Sequence, residues 1–184
     1  MEEPEREAFI LYLIDGLRRR DSWCGETHVQ KTVFFLQELD GIDLGFNYIL
    51  YKYGPFSFDL RDQLSYLRAD RLIELDIQEP YGPRFRLTDS GRRVVSRYSS
   101  SLEPSRAALE GAADRLASDN VATLERYATA LYLWRHWQQE TPTSSEVVKR
   151  LVEVKPHVSH EQAKDAVEKV QAWVAEKGSA RVAA

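Results

Sequence analysis

Apolar residues recur along this chain first at helical spacing, then in alternation, then at helical spacing again. Phe9, Leu13, Ile14 and Leu17 form a stripe that predicts a helix over 4–20, and Pro4 suits its first turn. Val29, Val33, Leu36 and Leu39, widened by Phe34 and Phe35, predict a second helix from Thr27. Gln30 is its expected capping-box partner, and Asp40 and Gly41 stop it. Residues 46–53 are aromatic and β-branched, read as extended, and end in a turn at Gly54 and Pro55. Ser57 caps a third helix over 58–71, whose inward line is Leu60, Leu64 and Leu67. Ile73, Leu75 and Ile77 then alternate with Glu74 and Asp76, and Phe85 and Leu87 with Arg84, Arg86 and Thr88. That is the pattern of a half-buried hairpin, with strands over 72–78 and 84–88 and a turn over 80–83.

Helical spacing returns near Arg92, breaks over 99–104 and resumes over 107–117. Asp119 or Asn120 caps a helix carrying Val121, Leu124, Ala128 and Leu131, and the stretch 131–137 is apolar on nearly every side. Thr143 with Glu146, and Ser159 with Gln162, are capping boxes for two more helices. The first ends before Pro156, and the second carries Ala163, Ala166, Val167, Val170 and Val174. Three helices followed by a hairpin is the order of a winged helix-turn-helix, stretched here by the aromatic segment between the second and third helices. The expected fold is mainly α with a small β-hairpin: a winged-helix-like domain over 1–98, a helical extension over 99–178 packing on it, and a frayed tail over 179–184.

Composition narrows the function classes. The 184 residues are 43% hydrophobic, enough for a sizeable core, and the net charge of -4 argues against a surface built for nonspecific nucleic-acid binding. A single cysteine, Cys24, forms no internal disulfide and fits a reducing compartment. With no secretory signal or long apolar run, the expected location is cytoplasmic.

The stretch Val29-Gln30-Lys31-Thr32-Val33-Phe34-Phe35-Leu36, followed by Tyr53-Gly54-Pro55-Phe56-Ser57, resembles the Panacea (SocA-like antitoxin) group and the related YwgA-like proteins. Leu87-Thr88-Asp89-Ser90-Gly91 is similar to the strand-to-helix exit after the wing in winged-helix proteins. The likeness covers roughly residues 26–95. Val29 in place of leucine, and Phe56 where valine is commoner, lean toward the YwgA-like side. The resemblance implies a winged-helix-like protein of prokaryotic or phage type. Panacea-type members are antitoxins that neutralise toxins by protein contact. It brings no catalytic residues, and Gln30, Lys31, Tyr53, Gly54 and Pro55 enter as structural motif positions.

Candidate chemistry is sparse. Arg84 and Arg86 share one side of the wing, Arg92, Arg93 and Arg97 follow on the next helix, and Arg61 and Arg68 lie on the third. They are the candidate DNA contacts, because the guanidinium fork fits phosphate oxygens. Against that, Asp59 and Asp62 flank Arg61, and Glu74 and Asp76 face the wing arginines as ready cross-strand ion-pair partners. Arg18, Arg19 and Arg20 suit the negative end of their helix. Tyr132, Trp134 and Trp137 are the candidate partner contacts unless their own fold covers them. Tyr51, Tyr53 and Phe56 are expected as core around the Gly-Pro turn, and Lys31 as an exposed charge. The scattered histidines do not make a zinc site, Cys24 reads as a buried thiol, and no cofactor is expected. These residues describe a non-enzymatic protein-interaction module resembling a toxin-neutralising antitoxin. The alternative is a winged-helix DNA-binding regulator. The partners left open are a protein such as a toxin, double-stranded DNA and a second copy of the chain in a homodimer.

Overall fold

The computed structural model describes residues 2–79, 82–137 and 142–182, with side chains as far as Gly178. The turn expected over 80–83 lies partly outside the described residues. Helix α1 (Glu3–Arg18) has Pro at its start and is buried far beyond the expected stripe, with Ala8 to Ile14 all inside. Its position explains that burial, because the helices α4 (Asp89–Arg97) and α6 (Arg106–Leu116) and the strand β4 (Arg84–Leu87) pack around it. The basic run at its end goes to carboxylates: Arg18 to Asp76, Arg19 to Asp15 and Glu110, and Arg20 to Glu110 and Asp114.

Helix α2 (Glu26–Glu38) begins one residue earlier than the pattern predicts, with Gly25 as N-cap and no side-chain cap. Thr27 and Gln30 therefore form no capping box. Val29, Val33 and Leu36 join α1 and the wing in one hydrophobic cluster, while Phe34, Phe35 and Leu39 join the C-terminal helices in another. A helix wedged between two cores must be apolar all round. The cost falls on its polar residues, and Lys31, expected outside, is only 1% exposed.

The aromatic segment forms a second hairpin, not a single extended run. Strands β1 (Ile49–Tyr51) and β2 (Gly54–Phe56) pair antiparallel with Tyr51 opposite Gly54, so the turn is Lys52 and Tyr53 and the Gly-Pro dipeptide lies on the returning strand. Helix α3 (Phe58–Ala69) follows, capped by Ser57 Oγ on the Leu60 N–H at 3.2 Å, with Leu60, Leu64 and Leu67 buried as the spacing predicts. The wing consists of β3 (Ile73–Asp76) and β4, with Glu74 opposite Arg86 and Asp76 opposite Arg84. Ile77 falls beyond the ladder and is exposed, against the alternation.

Thr88 ends the wing and caps α4, which starts at Asp89 instead of near Arg92. Its Oγ1 accepts from the Gly91 N–H at 3.1 Å and donates to the Arg71 carbonyl at 2.6 Å. A Cβ on Gly91 would stand 2.2 Å from the Leu72 carbonyl oxygen, so only glycine permits this approach of helix to strand. The expected break appears as a single turn, α5 (Ser99–Leu102), and a 3-10 turn at Glu103–Ser105.

The remaining helices are α7 (Val121–Arg135), capped by Asn120, α8 (Ser144–Val154), with the Thr143–Glu146 capping box, and α9 (His160–Val182), opened by Ser159 and Gln162. Val121, expected inside, is exposed at the first turn of α7. α9 stays helical to Val182, past the expected fray at Gly178; residues 183 and 184 lie outside the described residues. Asp40, whose side chain is fully buried, receives Arg115 from α6 at 3.2 Å and Lys177 from α9 at 2.6 Å, tying the end of α2 to both. The fold is thus mainly helical with two small antiparallel hairpins, the first of them between the second and third helices. Among the described residues no helix is long and apolar enough to cross a membrane.

Candidate interaction surface

The hairpin 49–56 is held from beneath by buried polar groups. The Gln30 amide spans Ser57, donating to its carbonyl at 2.8 Å and accepting from its N–H at 3.0 Å. Lys31 Nζ donates to the Pro55 carbonyl at 2.8 Å, and Tyr48 donates its hydroxyl proton to the Gln30 carbonyl at 3.0 Å. Gly54, at φ +90°, sits where a Cβ would be 2.8 Å from Thr129 Oγ1 on α7. Lys155, just past α8, donates to the Lys52 carbonyl at 3.4 Å and lies 3.8 Å from Glu125.

Two lysines and one glutamate therefore share a site that is nearly dry. Burial pulls the Lys31 ammonium down to about 8, with the Glu125 carboxylate opposing that shift. Lys155 is lowered for the same reason, and Glu125 is raised by burial against the pull of both lysines and His157. The motif positions Gln30, Lys31, Gly54 and Pro55 thus come together in space. Their role is to fasten the hairpin between α2 and α7.

The outer face is aromatic. Tyr51, Tyr53 and Phe58 are 55%, 54% and 39% exposed, Ile49 is exposed beside them, and Phe56 is half-buried. Tyr51, Phe56 and Phe58 form a ring triad with centroids 5.1 to 6.0 Å apart, and Arg61 lies over Phe58 at 5.0 Å. This corrects the expectation that Tyr51, Tyr53 and Phe56 are core. A three-residue strand places alternate side chains outward, and Gly54 and Pro55, not the tyrosines, meet the body of the protein.

Four of the candidate DNA residues are engaged by carboxylates. Arg84 pairs with Asp76 at 2.9 Å and lies over Trp23, and Arg86 pairs with Glu74 at 3.1 Å, which realises the cross-strand arrangement. Arg92 approaches Asp89 and Asp15, Arg61 pairs with Asp62, and Arg93 donates to Ser90 Oγ at 2.7 Å. Arg68 and Arg97 are exposed. On α3 the exposed positions include Asp59 and Asp62.

The candidate partner contacts of the tail are half-buried by the chain itself. Tyr132 stacks on His136 and meets Phe34, and Trp134 and Trp137 pack against the C-terminal core. Cys24 is fully buried and its thiol is pushed up to about 12 by burial. No group of His, Cys, Asp and Glu among the described residues could hold a metal ion. The exposed Tyr-Phe triad is the element missed from sequence; Ile49, Leu50 and Tyr51 are all apolar, so no alternation of polar and apolar residues marks which side of the strand faces out. No family model matches this chain, and no curated protein matches it either.

Proposed function

We propose that the chain is a non-enzymatic protein-interaction module, and that its docking surface is the aromatic face of hairpin 49–56 with the start of α3. The resemblance to Panacea-type antitoxins makes a toxin the partner class to test first. One observation carries the reading: Ile49, Tyr51 and Tyr53 stand exposed, with Phe58 at the start of α3 beside them, on a hairpin whose underside meets Gln30, Lys31 and Thr129. Tyrosine and phenylalanine on a rigid base bury large area at small entropic cost, which is how interface anchors work.

The test is co-purification of the tagged chain from cells expressing its neighbouring genes. A stoichiometric partner is expected with the parent chain and not with the Tyr51→Ala/Tyr53→Ala/Phe58→Ala variant, which keeps its thermal midpoint. No partner, or a partner retained by the variant, overturns the reading.

The DNA-binding alternative draws on one observation, the exposed Arg68, Arg93 and Arg97, none of which meets a carboxylate within ion-pair distance among the described residues. Asp59 and Asp62 on α3, and the pairing of Arg84 and Arg86, weigh against it. Duplex binding that falls steeply with salt, and falls again on replacing these three arginines, would favour it.

A further inference from the structure

Beneath the wing, between the first turn of α2, the end of α3 and strand β4, lies a cleft of ≈ 420 Å³ whose walls include Trp23, Glu26, His28, Arg68, Phe85 and Val121. We propose that this cleft binds a small planar acid, an aromatic or heterocyclic ring that carries a carboxylate or phosphate and a ring N–H. Each part of that description comes from a separate observation.

The ring is called for by the walls. Trp23 is held under the Arg84 guanidinium at 5.2 Å, and with Phe85 and Val121 it forms the apolar part of a mixed cleft of the size small ligands occupy. The acid is called for by two sources of positive potential. Arg68 makes no ion pair among the described residues, so its planar fork remains available to a carboxylate or phosphate. The 13-residue helix α2 also opens on the cleft through Gly25, Glu26 and Thr27 with no side-chain cap, leaving its first-turn amides for an anion.

The donor is called for by His28. It is 3% exposed, lines the cleft, and its Nδ1 has no hydrogen-bond partner among the described residues. The Asp119 main chain hydrogen-bonds the ring, and burial lowers the imidazole below its ordinary value, so the ring is neutral and one nitrogen is a bare acceptor. A buried acceptor without a donor is costly, and a ligand N–H removes that cost. Glu26 at the rim disfavours a bulky polyanion and keeps the site selective for a single acidic group.

Indole-3-carboxylate supplies all three features and is the probe, titrated into the full chain and followed by the Trp and His signals in NMR spectra. Saturable binding is expected with a Kd of about 1 mM or tighter. Arg68→Ala should weaken it at least about tenfold, as should removal of the acid in plain indole. 1-Methylindole-3-carboxylate, which lacks the N–H, should weaken it by about fivefold or more. Val121→Trp, at an exposed first-turn position, should fill the cleft and abolish binding while the spectrum stays that of a folded chain. Absence of saturable binding overturns the proposal. So does binding that Arg68→Ala, Val121→Trp and N-methylation all leave unchanged.

Discussion

The Lys31 ammonium, at 1% exposure, donates to the Pro55 carbonyl oxygen at 2.8 Å, which joins the middle of α2 to the hairpin 24 residues on. The proton on that lysine is held against desolvation, since burial lowers its pKa from 10.5 to about 8. Between those values the unfolded chain binds more protons than the folded one, so this group's contribution to stability rises with pH. Its penalty is complete below pH 8 and gone above 10.5. Relative to Lys31→Met, the parent chain should gain about 2 kcal/mol of unfolding free energy between about pH 7.5 and 9.5. Lys155 and Glu125 interact electrostatically with Lys31, so the difference reports the coupled site and not the one lysine alone. Urea titrations at the two pH values measure the gain, and parallel curves would refute it.

Gln30 fastens the other side of the same turn. Its amide accepts from the Ser57 N–H and donates to the Ser57 carbonyl, which also accepts from the Arg61 N–H of α3 at 3.2 Å, and Gln30 and Ser57 are both fully buried. Gln30→Ala should destabilise by about 1–3 kcal/mol, since it strands the buried Ser57 N–H while the Ser57 carbonyl keeps the Arg61 N–H. Gln30→Glu should fare no better, because a carboxylate cannot donate to the Ser57 carbonyl. Ser57 also caps α3, so first-turn amides of α3 should lose hydrogen-exchange protection in both variants. A loss under about 1 kcal/mol with protection intact would show that the contact matters little.

What was legible in the sequence follows from the range of the interactions. Ser57, Asn120, Thr143 and Ser159 act within one helical turn, and each caps as its neighbours predict. The wing was legible because two strands with opposite charges at matched positions require nothing from elsewhere. Lys31 was not, because its burial depends on a second hydrophobic core supplied by residues beyond 115. Gly54-Pro55 looked like a turn since either residue often makes one; the contact that needs glycine there is with Thr129, 75 positions away. The aromatic surface was hidden for the same reason. Alternation says that Ile49 and Tyr51 share a face, and only the docking of Gly54 on α7 says which face is outside.

Gly54 offers a direct test of that docking. Alanine there meets both a φ of +90° and a 2.8 Å approach to Thr129 Oγ1, with the Glu125 carbonyl at 3.3 Å behind it. Gly54→Ala should cost about 2–4 kcal/mol, from backbone strain of about 1 kcal/mol and the rest from overpacking. Thr129→Ala removes the nearer obstacle. The double variant should therefore be more stable than the sum of the single losses by about 1 kcal/mol. Additive losses would mean that backbone strain alone sets the requirement for glycine.

Acid should release the contact in which Glu110 on α6 meets the end of α1. Burial alone would raise this carboxyl, but hydrogen bonds from the Tyr12 hydroxyl, Arg19 and Arg20 outweigh it and bring the pKa from 4.5 down to about 2. A carboxylate favoured in the folded state stabilises above its unfolded pKa, and the contribution is lost as pH falls from 4.5 through about 2. Its side chain is 25% exposed, so solvent screening trims the contribution to about 1–2 kcal/mol at neutral pH. The substitution Glu110→Gln keeps the shape and part of the hydrogen bonding but not the charge. The parent chain should exceed the variant by that margin at neutral pH, and the gap should close as pH falls from 4.5 through about 2. Asp114 shares Arg20 with Glu110, whose charge acts to raise its pKa, so its own titration also shifts in the variant. A gap that persists unchanged into that acid range would mean that the Glu110→Gln variant loses packing and not a charge, and that α1 and α6 are joined by their apolar faces alone.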